Sequence, residues 1–246
     1  MHRQFSLVGL ALLTAASLFT LSGCNPKGLV TQNQEIAIGR EASRQVESRY
    51  PVDTDPRLNA MVNEMGQAIA KCSDRPDLQY TFKILDIRDV NAVSLPGGWV
   101  YIYKGLIDQT AGHPDELAGV IAHEVGHISA RHAAQMIGRE LQLSLAIGIL
   151  TRGQMQDIAA LFADLQFLHW SRVQEYEADK LGINYMYRCQ RWSPQGVVDF
   201  LNTLLKIQPN HPSSFDQIFA THPVTENRVK RAQTYLDDLR SGKEKP

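Results

Sequence analysis

His123-Glu124-Val125-Gly126-His127 lies inside a run from Pro114 towards Met136 that reads as one long helix. Pro114 suits the first helical position, and Asp115 and Glu116 suit the positive end of the helix dipole. Ala118, Ile121, Val125 and Ile128 then recur at helical spacing. Residues four apart on a helix differ by about 40° in azimuth and one turn in height, so His123 and His127 can reach one ion. Glu124 points about 100° away from His123. It is poorly placed as a third ligand and well placed to reach a water on that ion. The spacing therefore predicts two metal ligands and one base. A helix with two incidental histidines is the alternative. Chance produces the pattern in roughly one chain of this composition in a hundred. The flanking Ala118-Gly119-Val120-Ile121-Ala122 and Ile128 also place it on a buried face, where unpartnered imidazoles and a carboxylate would cost several kcal/mol.

A catalytic zinc takes three protein ligands and keeps one position open, so a third ligand is required. Glu175-Tyr176-Glu177-Ala178-Asp179 supplies candidates. Glu175 and Asp179 share a helix face, and Glu177 lies roughly on the opposite side. One carboxylate can bind metal while the other accepts a hydrogen bond from a ligand histidine. Spacing favours Glu175 as ligand and Asp179 as that support, against a solvated acidic helix face. His132, five positions after His127 on the same expected helix, points elsewhere. His169 is expected to be a surface or core histidine.

Working outward, Gln34 to Ser48 reads as a helix. A second opens at Asp55-Pro56, with Leu58, Met61, Met65 and Ile69 on one face. Tyr80, Phe82, Ile84 and Leu85 read as a strand, and Asn91 to Leu95 as a short extended piece. Trp99 to Tyr103 forms another strand after the turn at Pro96-Gly97-Gly98. These pieces predict a small antiparallel meander. Leu141 to Leu150 is nearly all apolar, too short to cross a bilayer, and placed to cover the cleft. Further helices are expected at 158–170, 173–187, after Ser193-Pro194, and at 224–239, with a loop over 207–223. The fold class is α+β, mainly α, and residues 34–246 form one domain.

The first residues read as an address. Arg3 precedes an uncharged apolar run from Phe5 to Leu21, followed by Leu21-Ser22-Gly23-Cys24. This predicts a signal peptide over 1–23 and a tether over 24–33. An uncleaved membrane anchor is the alternative. The tetrapeptide resembles the bacterial lipobox, and the resemblance implies cleavage before Cys24, lipidation of its thiol and a periplasm-facing lipoprotein. Asn25, where inner-membrane lipoproteins carry aspartate, favours the outer membrane. Cys72 and Cys189 remain, either paired or as two buried thiols. A net charge of -1 argues against nucleic acid as a partner.

Taken together, His-Glu-x-x-His, Glu175 to Asp179, Asn91-Ala92 before Pro96-Gly97-Gly98, and Thr221-His222-Pro223 before Arg228 resemble the zinc metallopeptidases of peptidase family M48. That family includes the HtpX heat-shock protease, the CAAX prenyl endopeptidases and the Oma mitochondrial protease. The four segments cover about residues 80 to 230. The resemblance implies a zincin-like, gluzincin-type domain with one zinc per chain on His123, His127 and Glu175. It implies that Glu124 and His222 act on the substrate, while Asp179 and Arg228 hold the site. By itself, a histidine before proline is more often a loop residue. An extended substrate would lie along Asn91, Ala92 and Val93. The implied activity is hydrolysis of peptide bonds in misfolded or envelope proteins. A non-catalytic or latent zinc-binding assembly factor is the alternative. Two departures from the family are expected. The stretch between the histidines and Glu175 contains Asp157 and Asp164 and no long apolar run, so the domain is not embedded. No helical repeats follow the closing helix.

Overall fold

The computed structural model describes residues 30–146, 154–165 and 168–246. Among them, local signals set most element ends. Helix α1 (Gln32–Arg49) starts at a capping box in which Thr31 and Gln34 satisfy each other's backbone N–H groups. In α2 (Pro56–Lys71), the Asp55 side chain accepts from the N–H groups of Arg57 and Leu58. Strands β1 (Thr81–Leu85), β2 (Ala92–Leu95) and β3 (Trp99–Tyr103) follow, then the short α3 (Lys104–Gln109). Helix α4 (Pro114–Ser129) carries the two histidines. After it come α5 (His132–Ala146), α6 (Gln154–Ala163), α7 (Arg172–Cys189), α8 (Gln195–Ile207), α9 (Asp216–Thr221) and α10 (Glu226–Arg240).

The sheet order is β1-β3-β2. β3 pairs antiparallel with β2 and parallel with β1, so the sheet is mixed and the expected meander is corrected. Alternating side chains mark a strand but carry no information about which neighbour it takes or in which direction. Residues 86–91 connect β1 to β2, and β3 takes the place between them, which leaves β2 at an edge. Both sheet faces are covered. Phe82, Ile84, Val100 and Ile102 join Val62, Met65, Ile121, Val125 and Leu201 in one apolar cluster. Leu85, Val93, Leu95, Tyr101 and Tyr103 join Ile38, Val46, Ile137 and Phe162 in the other.

The expected helix from Pro114 towards Met136 breaks after Ser129. Arg131 adopts a left-handed backbone with φ 58°, and α5 begins at His132. That conformation costs an arginine about 1–2 kcal/mol. The fully buried Glu35 of α1 offsets it: Arg131 Nε donates to Glu35 Oε2 at 2.9 Å, and Arg131 Nη2 donates to the Val30 carbonyl at 2.6 Å. Arg75 Nη1 donates to Glu35 Oε1 at 3.2 Å and to the Ile128 carbonyl at 3.0 Å. The break is therefore a long-range ion-pair effect, with no local stop signal.

Three smaller expectations are also corrected. α6 ends at Ala163, so His169 and Trp170 lie outside it. The stretch 207–223 contains α9. Val30 is buried and α1 starts at Gln32, so residues 30–33 belong to the fold and not to a tether. The expected signal peptide, Cys24 and residues 147–150 of the stretch expected to cover the cleft lie outside the described residues. Among the described residues, no helix is long and apolar enough to cross a membrane.

Two contacts set the distance between α4 and α7. A Cβ on Gly126 would sit 2.8 Å from the Ala178 carbonyl oxygen. A Cβ on Gly182 would sit 3.1 Å from the His123 nitrogen. Only glycine permits this approach without displacing backbone. Cys72 and Cys189 form a disulfide, with Cα atoms 5.7 Å apart, and join the ends of α2 and α7.

Candidate metal centre

α4 and α7 run against each other and aim their polar residues at one point. His123 Nε2 and His127 Nε2 lie 2.9 Å apart, and Glu175 Oε1 is 3.2 Å from His127 Nε2. His222, at the end of α9, reaches in from a third direction. Its Nδ1 lies 3.1 Å from Glu175 Oε1, and its Nε2 lies 3.6 Å from Glu124 Oε1. One donor atom from each of His123, His127, Glu175 and His222 falls within 4.8 Å of all the others, and all four residues are buried.

A fork of hydrogen bonds sits behind this group. Arg228 Nε and Nη2 donate to the two oxygens of Asp179 at 2.6 and 2.8 Å, and Arg228 Nη1 also contacts Glu175. Asp179 Oδ1 lies 2.9 Å from His123 Nδ1. The caps explain the alignment. Ser171 and Gln174 form a capping box that starts α7 just before Glu175. The Thr225 hydroxyl accepts from the Arg228 N–H at 3.1 Å, placing Arg228 in the first turn of α10.

The electrostatics follow from burial against neighbouring charge. Burial alone would raise the Glu175 carboxyl, but Arg228 and His222 hold it well below the usual carboxylate range. Burial likewise opposes Arg228 and His123 at Asp179, and the charges prevail, lowering it. Burial pushes His127 well below its ordinary value of 6.5. Burial would lower His222 too, but the charges of Glu175 and Glu124 outweigh it and raise its value.

Zinc fits this donor set. Two imidazole nitrogens facing each other at 2.9 Å repel if both present lone pairs, and a cation between them removes the conflict. Glu124, Glu175 and Asp179 are buried around one guanidinium, which pairs with the latter two, and a divalent cation offsets the excess of negative charge. Glu124 Oε2 is buried and has no hydrogen-bond partner. Beside His123 and Glu124, a small cavity of about 30 Å³ is walled by Val120, Val197, Phe200, Leu201, Leu204 and Ile218.

These are the residues that a family model for peptidase family M48 spans, matching positions 56–236. The chain belongs to peptidase family M48. Zinc is the metal of that family. A beta-barrel assembly-enhancing protease of Yersinia pestis is 25% identical over 93% of this chain and 49% of its own length. Metalloprotease YcaL of Escherichia coli is 26% identical over 95% of this chain and 97% of its own. The mitochondrial metalloendopeptidase OMA1 of Schizosaccharomyces pombe is 25% identical over 87% and 65%. The chain thus spans about half the length of the assembly-enhancing protease and nearly all of YcaL.

The structure brings together His123, His127, Glu124, Glu175, Asp179, His222 and Arg228. Asn91, Ala92 and Val93 are all buried, and Ala92 also borders the small cavity. Neither side-chain polar atom of Asn91 has a partner. His169 is exposed and its Nδ1 contacts the Ala220 carbonyl at 2.6 Å, away from the centre. Two residues at the centre escape sequence reasoning. His132 is fully buried with Nδ1 2.8 Å from His127 Nδ1, where a continuous helix would have turned it away. Trp170 stacks on the His127 ring at 4.7 Å, and nothing in its local sequence signals that role.

Proposed function

We propose that this protein is a zinc endopeptidase that hydrolyses peptide bonds of envelope proteins. The observation that carries the reading is the buried, partnerless Glu124 Oε2 next to a cluster of metal donors. A structural metal site has no need of such a group. His123, His127 and Glu175 hold the metal. When bound, zinc supplies Lewis acidity towards water and the peptide carbonyl. Glu124 accepts the proton of the attacking water and returns it to the departing amine nitrogen. Asp179 Oδ1, 2.9 Å from His123 Nδ1, is placed to orient that ring, while Arg228 keeps Asp179 and Glu175 ionised and in place. β2 is an edge strand, and an extended substrate would add to it alongside Ala92 and Val93.

The envelope setting rests on the Leu21-Ser22-Gly23-Cys24 pattern and on relatives named beta-barrel assembly-enhancing proteases. We read the protein as anchored through lipidated Cys24 on the periplasmic side of the outer membrane, with residues 30–246 forming a catalytic domain. Its substrates are then misassembled envelope proteins, including β-barrel precursors.

A second reading is favoured by the position of His222. As a fourth donor it would close the coordination position that a catalytic metal keeps open, which makes the resting form latent. The test is cleavage of an unfolded protein by the purified full chain, with zinc content measured alongside. A chelator abolishes cleavage, and Glu124→Gln retains zinc while losing at least about 100-fold in rate. Unchanged cleavage by Glu124→Gln refutes the mechanism. His222→Ala separates the two roles of that residue: activity falls if His222 assists the substrate and rises if His222 plugs the site.

A further inference from the structure

The two α4 histidines are supported differently. His123 Nδ1 faces a carboxylate, Asp179, at 2.9 Å. His127 Nδ1 faces another imidazole, His132 Nδ1, at 2.8 Å, and both rings are buried. His132 Nε2 in turn faces Glu177 Oε2 at 3.2 Å. Glu177 stands on α7 two residues after Glu175, and its side chain is 46% exposed.

We propose that His132 and Glu177 are positioning residues that set the proton and the ring orientation of His127 for the metal. The proposal rests on reading His127 as a zinc ligand. The direction of each hydrogen bond follows from the one before it. His127 Nε2 points at His123 Nε2 and Glu175, so the metal-binding tautomer carries its proton on Nδ1. Two ring nitrogens at 2.8 Å share one proton between them, so His132 Nδ1 accepts. The His132 proton then sits on Nε2 and is donated to the Glu177 carboxylate. A carboxylate at the outer end accepts from this tautomer of His132 and has no hydrogen to donate to the other. Polarisation along the chain makes His127 Nε2 a stronger donor to a metal.

The backbone explains why the relay exists. Residues five apart on a continuous helix lie about 140° apart. The left-handed Arg131 breaks α4 and turns His132 back beneath His127. Trp170 stacks on His127 at 4.7 Å and lies 6.0 Å from His132, covering the bond between them.

The direct test is long-range proton–nitrogen NMR on the zinc-loaded wild-type chain with ¹⁵N-labelled histidine. His132 is expected to be protonated on Nε2 alone and His127 on Nδ1. A His132 ring protonated on Nδ1, or on both nitrogens, overturns the proposal, and this measurement depends on no variant folding. Zinc affinity, read by competition with a chromogenic chelator, gives a second test. His132→Leu is expected to bind zinc about 10–100-fold more weakly. His132→Asn, whose Oδ1 can accept where Nδ1 did, restores most of that loss. Glu177→Ala shifts affinity in the same direction by a smaller factor. Wild-type affinity in His132→Leu, or no recovery in His132→Asn, refutes the relay while tight wild-type binding leaves the metal site standing. Failure of the wild-type chain to bind zinc refutes the metal-site reading and the relay together.

Discussion

Arg228 grips Asp179 with two nitrogens, Nε and Nη2, at 2.6 and 2.8 Å, and both residues are buried. The same guanidinium reaches Glu175, so one side chain from α10 holds two carboxylates of α7. A planar fork can do this and a point charge cannot. Arg228→Ala leaves both carboxylates buried without their counter-charge. The zinc-free protein is expected to lose about 3–5 kcal/mol of stability. Saturating zinc should recover part of the deficit, because the metal supplies positive charge at Glu175. Arg228→Lys should fall between the two. Urea unfolding with and without zinc measures all three.

The α4–α7 contact makes a separate prediction at Gly126. Its Cβ would meet the backbone of Ala178 at 2.8 Å, so Gly126→Ala must push α7 away from α4. Overpacking of this kind costs about 1–3 kcal/mol. Because His123 and His127 are on one helix and Glu175 on the other, zinc affinity should fall with stability. A variant that loses stability but keeps wild-type zinc affinity would show that the helices slide without opening the site.

The Cys72–Cys189 disulfide closes a span of 117 residues between α2 and α7. Cross-links over long spans stabilise mainly by restricting the unfolded chain, by about 2–5 kcal/mol. Reduction should lower the melting temperature of the zinc-free chain by several degrees. A Cys72→Ser, Cys189→Ser double variant should match the reduced wild type and should not respond to reductant.

The acid response of the zinc-free chain follows from the depressed carboxyls. Glu175 and Asp179 sit below their ordinary values of 4.5 and 3.8 when folded. Their stabilisation is present above those values and is lost as pH falls below them. Urea midpoints should therefore drop on acidification through pH 4.5, and Asp179→Asn should flatten the drop. The histidines oppose each other nearer neutrality. His127, lowered from 6.5, withdraws stability as pH falls through that value, whereas His222, raised from 6.5, contributes below it and fades as pH rises. His222→Gln should accordingly cost most stability below neutral pH.

Much of this centre is legible in the chain because helical periodicity converts spacing into direction. His123 and His127 share a face, Glu175 and Asp179 share another, and Pro114 marks where the helix of the two histidines starts, as Asp55-Pro56 does for α2. His222 and Arg228 are legible only through likeness to a family, since neither has a local pattern that distinguishes it from a loop histidine or a surface arginine. The three strands are legible in the chain but their order is not, because alternation along β1 is the same whichever strand it pairs with.

What the sequence determined by itself is therefore the chemistry that depends on neighbours along the chain: two imidazoles one turn apart, a carboxylate between them, and the caps that start each helix. What the tertiary structure decided depends on groups far apart in sequence. Glu35 and Arg131, 96 residues apart, break α4 and swing His132 under His127. Arg228 crosses from α10 to hold Asp179, and β3 inserts between β1 and β2. Each of these is settled by burial and charge pairing in the packed state, terms that no local window of residues contains.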